Sequence, residues 1–344
     1  MKILVRGNNW IGDAVMSIPA LRQIRRIFPD AAVTLLTRSW AVAIFDDVDF
    51  IDELVTFDPA KSRLTDVIRN ARFLTHDGYD LAILFPNSFE AALTAYLARI
   101  PRRIGYNKDL RGLLLTDSVP VPEWKNRRHE VLYYLNLVCE VERRMIGQET
   151  VLNSKPDLSL SISDRHLAVA GYLLTDLRRS DGNPVVALGV GSTNSRAKRW
   201  PAPSYARLGI RLQTDANATV VLVGSKDEVE VAYEVSKLMP HPPINLVGKT
   251  DLVQAMGVLD RVDLLVANDM GLAHIAAALG TKTLTIFGPT NADTTRPFPE
   301  GAEVLRANVE CSPCMLRNCP IDHRCMTEIT VDAVFETAVR LLGV

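Results

Sequence analysis

The sequence has no excess of charge of either sign and no long apolar run. Its 39 Lys and Arg residues stand against 40 Asp and Glu residues, which gives a formal net charge of −1 at pH 7. Because proteins that bind nucleic acid through bulk charge are strongly basic, no nucleic-acid partner is expected. No apolar run reaches the roughly 20 residues that a helix needs to cross a bilayer.

The chain is also not unusually rich in glycine or proline. Its 344 residues include 19 glycines and 19 prolines, which excludes collagen-like and disordered classes. The first residues enter a predicted strand at Ile3 and have neither the apolar core nor the small-residue cleavage site of a signal peptide. We therefore expect a cytoplasmic protein.

Cysteines are few, but four of the five lie close together, at Cys311, Cys314, Cys319 and Cys325. In a reducing cytoplasm, such a cluster suggests metal or redox chemistry more than a disulfide framework. Structural zinc sites more often have two separated C-x2-C pairs than the C-x2-C-x4-C-x5-C spacing of this chain. A structural metal, disulfides and free thiols all remain open, whereas Cys139 is predicted to be a small core residue.

The apolar pattern predicts an α/β protein with two doubly wound domains. Short strands that are apolar on both faces alternate with amphipathic helices, which is typical of a parallel sheet covered on both sides. A length of 344 residues also exceeds what one core usually supports. We predict an N-terminal domain over residues 1–160, a linker near 153–163 and a C-terminal domain over 161–344 that ends in a helix at 331–342.

Strands are predicted at residues 3–6, 32–36, 53–57 and 80–85, and then at 185–189, 219–223, 244–247, 264–267 and 283–287. Among the helices, one is predicted over 12–28, one over 129–141 and one near 164–179, while residues 99–128 are predicted to be loops. Two such domains place a cleft between the carboxyl ends of their sheets, where parallel sheets bind ligands.

The first loop that could bind a ligand runs from Gly7 to Gly12, after the first predicted strand. It lacks the second glycine of the dinucleotide fingerprint, and Asp13 stands where a phosphate-binding P-loop has lysine. A carboxylate repels phosphate, so this loop is not a triphosphate cradle. Asp13 is either a first-turn residue that complements the helix dipole or a general base at the mouth of the cleft.

Two segments of the second domain carry groups that can bind a diphosphate. Ser192 and Thr193 follow the first strand of that domain, and Lys198 follows them as a point charge. Residues 267–274 end a buried strand and begin a helix, whose free N–H groups form an anion site beside His274. The alternatives are an ordinary surface loop and a capped helix with an incidental histidine.

Between positions 99 and 128, eight Lys or Arg residues stand against three acidic residues. Such a run is usually a solvated face. A basic region opposite a diphosphate site instead suggests an anionic second substrate at a membrane surface. The residues selected as acceptor-binding candidates are Arg102, Arg103, Lys125, Arg127 and Arg128.

Taken together, these motifs resemble those of the ADP-heptose:lipopolysaccharide heptosyltransferases of glycosyltransferase family 9. The matching segments are Gly7 with residues 11–13, then 198–201, 268–274 and 287–290, in family order. The resemblance implies the GT-B fold, in which two Rossmann-like domains face a central cleft, the donor binds the C-terminal domain and the final helix packs back toward the N-terminal domain. It also implies an inverting transfer of L-glycero-D-manno-heptose from ADP-heptose to the lipopolysaccharide inner core, with no cofactor and no catalytic metal.

The same resemblance implies a role for each matching residue. Asp13 falls where the family has its catalytic base, and Lys198 would stabilise the departing ADP. The implied donor-binding residues are Ser192, Thr193, Lys198, Asp269, Met270, Gly271, Leu272 and His274. Met270 departs from the small hydroxyl residue often found there, and Lys226 replaces a glutamate of the type that adds the first heptose, which favours the second-heptose type. The implied acceptor is lipid A-Kdo-heptose, with peripheral association at the inner face of the inner membrane.

Two other classes of function stay open. One is another GT-B activity, either a different nucleotide-sugar transferase or a nucleotide-sugar 2-epimerase, which needs no lipid acceptor. The other is a non-catalytic nucleotide-sugar-binding protein, which would release no ADP. Asp13 weighs against this last class, because diphosphate binding alone gains nothing from an added carboxylate.

Overall fold

A computed structural model describes residues 1–58, 62–169, 171, 173 and 182–344. The chain divides into two compact units, Met1–Leu158 and Ser159–Val344. Each unit is built on one six-stranded sheet, and every strand pair in both sheets is parallel. The prediction of an α/β protein with two doubly wound sheets is confirmed.

The sheet of the first unit has the strand order β3-β2-β1-β4-β5-β6. Its strands are β1 (Lys2–Arg6), β2 (Ala32–Thr37), β3 (Glu53–Thr56), β4 (Leu81–Leu84), β5 (Arg102–Tyr106) and β6 (Asp117–Val119). The central strands are buried over most of their length: Val5 of β1 aligns with Leu35 of β2 and with Ile83 of β4, and all three side chains are buried. The order reverses between β1 and β4.

The helices of the first unit are Ile11–Met16, Ile18–Ile27, Val42–Phe45, Arg63–Thr75, Phe89–Leu97 and Glu130–Ile146. The single helix predicted over residues 12–28 is therefore wrong, because two helices meet at Ser17. Pro19 lies in the first turn of the second helix. Proline has no N–H to donate to the carbonyl four residues earlier, so the first helix cannot continue through it.

The prediction of loops over residues 99–128 is also wrong. This stretch contains β5, β6 and the 3-10 turn Arg111–Leu114. The apolar pattern does not predict these strands because charged residues occupy them. Arg102 on β5 forms an ion pair with Asp117 on β6, with 3.1 Å between Arg102 Nη2 and Asp117 Oδ1. Strands with charged residues at such positions show no continuous apolar run.

The sheet of the second unit has the order β12-β11-β10-β7-β8-β9 and reverses between β7 and β10. Its strands are β7 (Val185–Gly189), β8 (Thr219–Leu222), β9 (Ile244–Asn245), β10 (Leu264–Asn268), β11 (Lys282–Phe287) and β12 (Ala302–Arg306). Five of the six were predicted to within about two residues. The exception, β12, was missed because its residues are only half-buried.

The helices of the second unit are Asp164–Val169, Ala202–Asp215, Val229–Lys237, Leu252–Arg261, Gly271–Ala278, Ala292–Thr295, Arg324–Thr327 and Val331–Leu342. Most of the remaining predicted helix at 170–179 lies outside the described residues. The last helix packs on the Ala202–Asp215 helix and on β10 and β11, with Val334 and Ala338 in the core. That it also packs toward the first unit stays a prediction.

The topology determines where each sheet can bind a ligand. In a doubly wound sheet, ligands bind outside the carboxyl ends of the strands, where the strand order reverses. In the first unit the loops at this point are residues 7–10 after β1 and 85–88 after β4. In the second unit they are residues 190–195 after β7 and 269–270 after β10.

None of the described helices combines the length and the apolar character that crossing a lipid bilayer requires.

Candidate functional site

In the second unit, Lys198 and Asp269 form an ion pair at the carboxyl edge of the sheet. Asp269 directly follows β10, and Lys198 ends the 3-10 turn Arg196–Lys198. The Lys198 Nζ lies 2.7 Å from Asp269 Oδ2, and the Thr290 hydroxyl donates to the same oxygen at 2.7 Å. An ammonium group has three N–H donors. Asp269 therefore fixes the position of Lys198 and leaves it donors for a ligand.

The helix Gly271–Ala278 begins beside this ion pair. Met270 is its N-cap residue, and the Met270 side chain makes no capping hydrogen bond. Within the described part of the chain, no side chain accepts from the N–H of Gly271 or Leu272, so this helix start is suited to an anion. His274 lies in the same turn and is buried, with 5% of its surface exposed.

Asn268, at the end of β10, holds the neighbouring loop in place. Its Nδ2 donates to the carbonyl oxygens of Gly191 at 2.9 Å and Val190 at 3.2 Å. Its Oδ1 accepts from the Trp200 N–H at 2.9 Å. The structure shows a fully buried amide that ties the loop after β7 to the segment that carries Lys198.

Glu228 lies beneath the same loops and was not selected from the sequence. It is 1% exposed, its Oε2 accepts from the Ser225 N–H at 2.6 Å, and burial raises its pKa. A Cβ added to Gly191 would overlap the Glu228 carboxyl group, so this loop needs glycine for close packing. The available signal was the Ser-x-x-Glu capping box of residues 225–228.

The two predicted hydroxyl residues of the loop differ in exposure. Ser192 is buried, and its backbone carbonyl accepts from Arg199 Nη2 at 3.0 Å. Thr193 is exposed, with its Oγ1 3.4 Å from Ser225 Oγ. Of these two residues, Thr193 is therefore the one whose side chain faces solvent.

Residues 311–325, the segment that carries four of the cysteines, contact the backbone of both loops of this site. The Ala197 N–H donates to the Arg317 carbonyl at 3.0 Å, and His323 Nε2 lies 2.6 Å from the Ala197 carbonyl oxygen. On the other side, the Ser312 hydroxyl donates to the Gly288 carbonyl at 2.6 Å. The segment thus positions the residues next to Lys198 and, through the loop that follows β11, those next to Thr290.

All five cysteines are free thiols. Burial and the nearby thiols raise the pKa of Cys325 to about 11, which keeps it protonated near neutral pH. Throughout the described ranges, no set of three or more His, Cys, Asp or Glu side chains is arranged to hold a metal ion. Cys139 is half-buried on the Glu130–Ile146 helix, so it is less enclosed than a core residue.

In the first unit, Asp13 lies in the first turn of the Ile11–Met16 helix. The buried Tyr134 hydroxyl donates to Asp13 Oδ1 at 2.8 Å, and Asn8 Nδ2 donates to the Asp13 backbone carbonyl at 3.3 Å. Burial and the Asp13 carboxylate raise the pKa of Tyr134 well above its ordinary value, so the phenol remains a donor. The carboxylate is half-buried and fixed in orientation. Both the dipole role and the general-base role fit this position.

Three of the five acceptor-binding candidates are partly buried and bind neighbouring groups of the first unit. Arg102 pairs with Asp117, and the Arg103 Nε donates to the Leu114 carbonyl at 2.7 Å. Lys125 forms an ion pair with Glu130. These contacts hold β5, β6 and the start of the Glu130–Ile146 helix together, which is a structural role.

Arg127 and Arg128 differ from these three because both are exposed. Arg127 Nη2 donates to the Glu123 carbonyl at 3.1 Å, and the Arg128 guanidinium lies 5.5 Å from the centre of the Trp124 ring. Within the described residues, neither forms an ion pair. The prediction of acceptor binding by the basic stretch therefore rests mainly on these two arginines.

The sequence and the structure of this chain are similar to those of known glycosyltransferases. The sequence model of glycosyltransferase family 9 (heptosyltransferase) matches residues 67–324. Lipopolysaccharide heptosyltransferase 2 of Salmonella typhimurium is 30% identical over 318 residues, which covers 89% of this chain and 88% of that protein. Lipooligosaccharide heptosyltransferase 2 of Haemophilus ducreyi is 27% identical over 100% of both chains.

Among solved structures, that of Escherichia coli ADP-heptose lipopolysaccharide heptosyltransferase II superimposes with a TM-score of 0.84. The two chains are 27% identical, and the match covers 99% of this chain and 98% of the other. This likeness confirms the predicted GT-B fold class.

Proposed function

The chain belongs to glycosyltransferase family 9, the heptosyltransferases, and from this premise we propose that it transfers L-glycero-D-manno-heptose from ADP-heptose to the inner core of lipopolysaccharide, as the second heptose. The observation that carries the proposal is the Lys198–Asp269 ion pair beside the uncapped start of the Gly271–Ala278 helix. This arrangement stands where the strand order of the second sheet reverses. A diphosphate ester is the ligand that such a site suits.

The donor side of the reaction follows from charge. When the bond between the anomeric carbon and the diphosphate oxygen breaks, negative charge builds up on the departing ADP. The Lys198 ammonium and the N–H groups of Gly271 and Leu272 would stabilise this charge, the kind of electrostatic contribution that often dominates catalysis. Asp269 acts through Lys198, because its carboxylate already accepts from Lys198 and Thr290.

The acceptor side needs a base. Asp13 would take the proton of an acceptor hydroxyl while the hydroxyl oxygen attacks the anomeric carbon, so that the configuration inverts as ADP departs. The Tyr134 hydroxyl donates to one carboxylate oxygen of Asp13 and so fixes the orientation of the proposed base. Arg127 and Arg128 would contact anionic groups of the acceptor.

The donor assignment is tested by offering the protein ADP-heptose and other nucleotide sugars together with a heptose-containing lipopolysaccharide acceptor. We expect release of ADP from ADP-heptose, and no comparable release of UDP or GDP from their sugars. Efficient use of a UDP- or GDP-sugar would favour another GT-B transferase. Binding of ADP-heptose without ADP release under any acceptor condition would favour a non-catalytic binding protein.

The proposal includes peripheral association with a membrane, which a lipid-linked acceptor requires. The 3-10 turn Arg111–Leu114 and the residue that precedes it present two of the most exposed apolar side chains, Leu110 at 89% and Leu113 at 95%. Between them, Arg111 is fully buried, and its Nε donates to the Tyr106 carbonyl at 2.7 Å. The turn is therefore anchored by arginine with leucines facing water, and exposed Lys108 precedes it. Such a turn suits a shallow contact with an anionic bilayer.

We expect the double variant Leu110→Ser/Leu113→Ser to bind vesicles containing phosphatidylglycerol about tenfold or more weakly than the parent protein. Burying a leucine side chain is worth about 1.5–3 kcal/mol, and both leucines would lose it. The melting temperature should stay unchanged because neither side chain packs in the core. Leu152→Ser, which alters a leucine that is 55% exposed elsewhere in the first unit, is the control. Equal sedimentation of all three proteins with vesicles would rule out this turn.

A further inference from the structure

Two arginines lie side by side at the carboxyl edge of the first sheet, outside the basic stretch. Arg6 ends β1, and Arg38 directly follows β2, the neighbouring strand. Their guanidinium carbons lie 3.8 and 4.8 Å from the centre of the Phe57 ring. Arg6 Nη2 and Arg38 Nε both donate to Asn9 Oδ1, at 3.0 and 3.3 Å. A single amide oxygen is thus shared by two cations.

This arrangement is costly without a counter-ion. Arg6 is only 9% exposed, and its other hydrogen bonds go to the backbone carbonyls of Gly7 and Leu36. In the described part of the chain, neither Arg6 nor Arg38 forms an ion pair; nearby Asp58 instead accepts from the Ser39 N–H at 3.3 Å. Burial and the neighbouring Arg38 lower the pKa of Arg6 to about 9. Buried charges are normally paired, so a bound anion would relieve this penalty.

The pair also has donors to offer. Arg38 is half-buried, and in the described ranges its Nη1 and Nη2 donate to no other group. A guanidinium presents its N–H groups as a planar fork that matches the two oxygens of a carboxylate or phosphate. The Phe57 ring and the shared Asn9 oxygen hold both forks at the sheet edge, so the binding geometry exists before the ligand arrives.

We propose that Arg6 and Arg38 form an anion subsite for a phosphate or carboxylate group of the acceptor. Residues 7–10 connect Arg6, at the end of β1, to the helix that carries Asp13, so the subsite and the proposed base lie at the same edge of one sheet. The basic stretch follows β4 and lies on the opposite side of the sheet order from β2. Assigning the anion to the acceptor rests on the proposed function, whereas anion binding by the two arginines does not.

Anion binding is tested without catalysis by nuclear magnetic resonance of the arginine Nε–Hε groups in the full chain, titrated with inorganic phosphate and with acetate. The Arg6 and Arg38 signals, identified from the Arg38→Gln and Arg6→Lys variants, should shift saturably in the parent protein. In Arg38→Gln, the anion concentration that half-saturates the shift of the Arg6 signal should rise about tenfold or more, because a charge-assisted hydrogen bond is lost. Arg72→Gln, an exposed arginine of the same unit, should behave like the parent. Signals that do not move, or an unchanged titration in Arg38→Gln, would overturn the subsite.

The acceptor assignment is tested by kinetics. Arg38→Gln should raise the acceptor KM about tenfold or more and leave the ADP-heptose KM nearly unchanged, and Arg38→Lys should recover part of this loss because the charge is kept. Two modified acceptors distinguish the sources of the anion: one lacks its phosphates, and in the other the carboxyl groups are reduced. If the subsite binds a phosphate, the parent and Arg38→Gln should have the same KM for the dephosphorylated acceptor. If it binds a carboxylate, they should have the same KM for the carboxyl-reduced acceptor. An unchanged acceptor KM in Arg38→Gln would contradict the assignment. If no heptosyl transfer occurs at all, the proposed function fails, while the resonance titration still decides whether the arginines bind anions.

Discussion

Asp13→Asn should lower kcat by roughly a hundredfold or more, with a nearly parental melting temperature and ADP-heptose affinity. An alcohol is a poor nucleophile, and removing its proton in the transition state is worth about 10²–10⁴ in rate. Asparagine keeps the shape of Asp13 and can still accept from the Tyr134 hydroxyl, which lies 2.8 Å from Oδ1. It lacks the basic oxygen. Steady-state kinetics and thermal unfolding on the same preparation separate the two roles.

Two matched variants make this result specific. Asp30→Asn removes an exposed carboxylate of the same unit and should leave kcat unchanged. Tyr134→Phe keeps the base but frees its orientation, so its kcat should fall by less than that of Asp13→Asn. If Asp13→Asn were unstable yet fully active per folded molecule, Asp13 would only complement the helix dipole, and the base would lie elsewhere.

Lys198→Ala should lower kcat/KM for ADP-heptose by about tenfold to a hundredfold. A hydrogen bond to a charged group contributes about 1.5–3 kcal/mol, and each 1.4 kcal/mol corresponds to about a factor of ten. Asp269→Asn should cost less, because Lys198 keeps its charge and loses only its partner at 2.7 Å. Stopped-flow or steady-state measurement with a saturating acceptor gives both values.

The double variant Lys198→Ala/Asp269→Asn tests whether Asp269 acts through Lys198. We expect it to be little worse than Lys198→Ala alone, since residues in direct contact are not additive. It also controls for stability, because Lys198→Ala leaves the Asp269 carboxylate buried beside Thr290, and the second substitution removes that charge. Lys237→Ala, an exposed lysine of the same unit, is the matched control. Additive losses would show that Asp269 contacts the donor independently.

The sequence predicts the buried strands well because each is a short apolar run between helices, as at Val185–Gly189 and Leu264–Asn268. It fails where charged residues lie in a strand. Residues of β5 and β6 were predicted to be loops because Arg102 and Asp117 interrupt the apolar pattern, and only the fold shows that they form an ion pair between the two strands. It also fails where one residue ends a helix within a continuous apolar pattern, because Pro19 divides the helix predicted over residues 12–28.

For the candidate site, the sequence identifies loops but not partners. The segments that carry Lys198 and Asp269 were both predicted to bind the donor. No local sequence pattern shows, however, that the two side chains form an ion pair in which their charges nearly cancel. The sequence likewise does not show that Asn268 bonds to Gly191 and Trp200, and it marks Glu228 only as the last residue of a capping box. Arg6 and Arg38 are adjacent only because β1 and β2 pair in register, with Arg6 aligned to Leu36.

The most direct test of the central claim follows labelled heptose from ADP-heptose into lipopolysaccharide acceptors truncated before and after the first heptose. The account predicts that label enters the acceptor that already carries one heptose, with one ADP released per heptose transferred, and that EDTA does not abolish the reaction. Transfer only to the heptose-free acceptor would contradict the assignment to the second heptose. Conversion of the nucleotide sugar with no label in either acceptor would contradict the transferase itself and favour an epimerase.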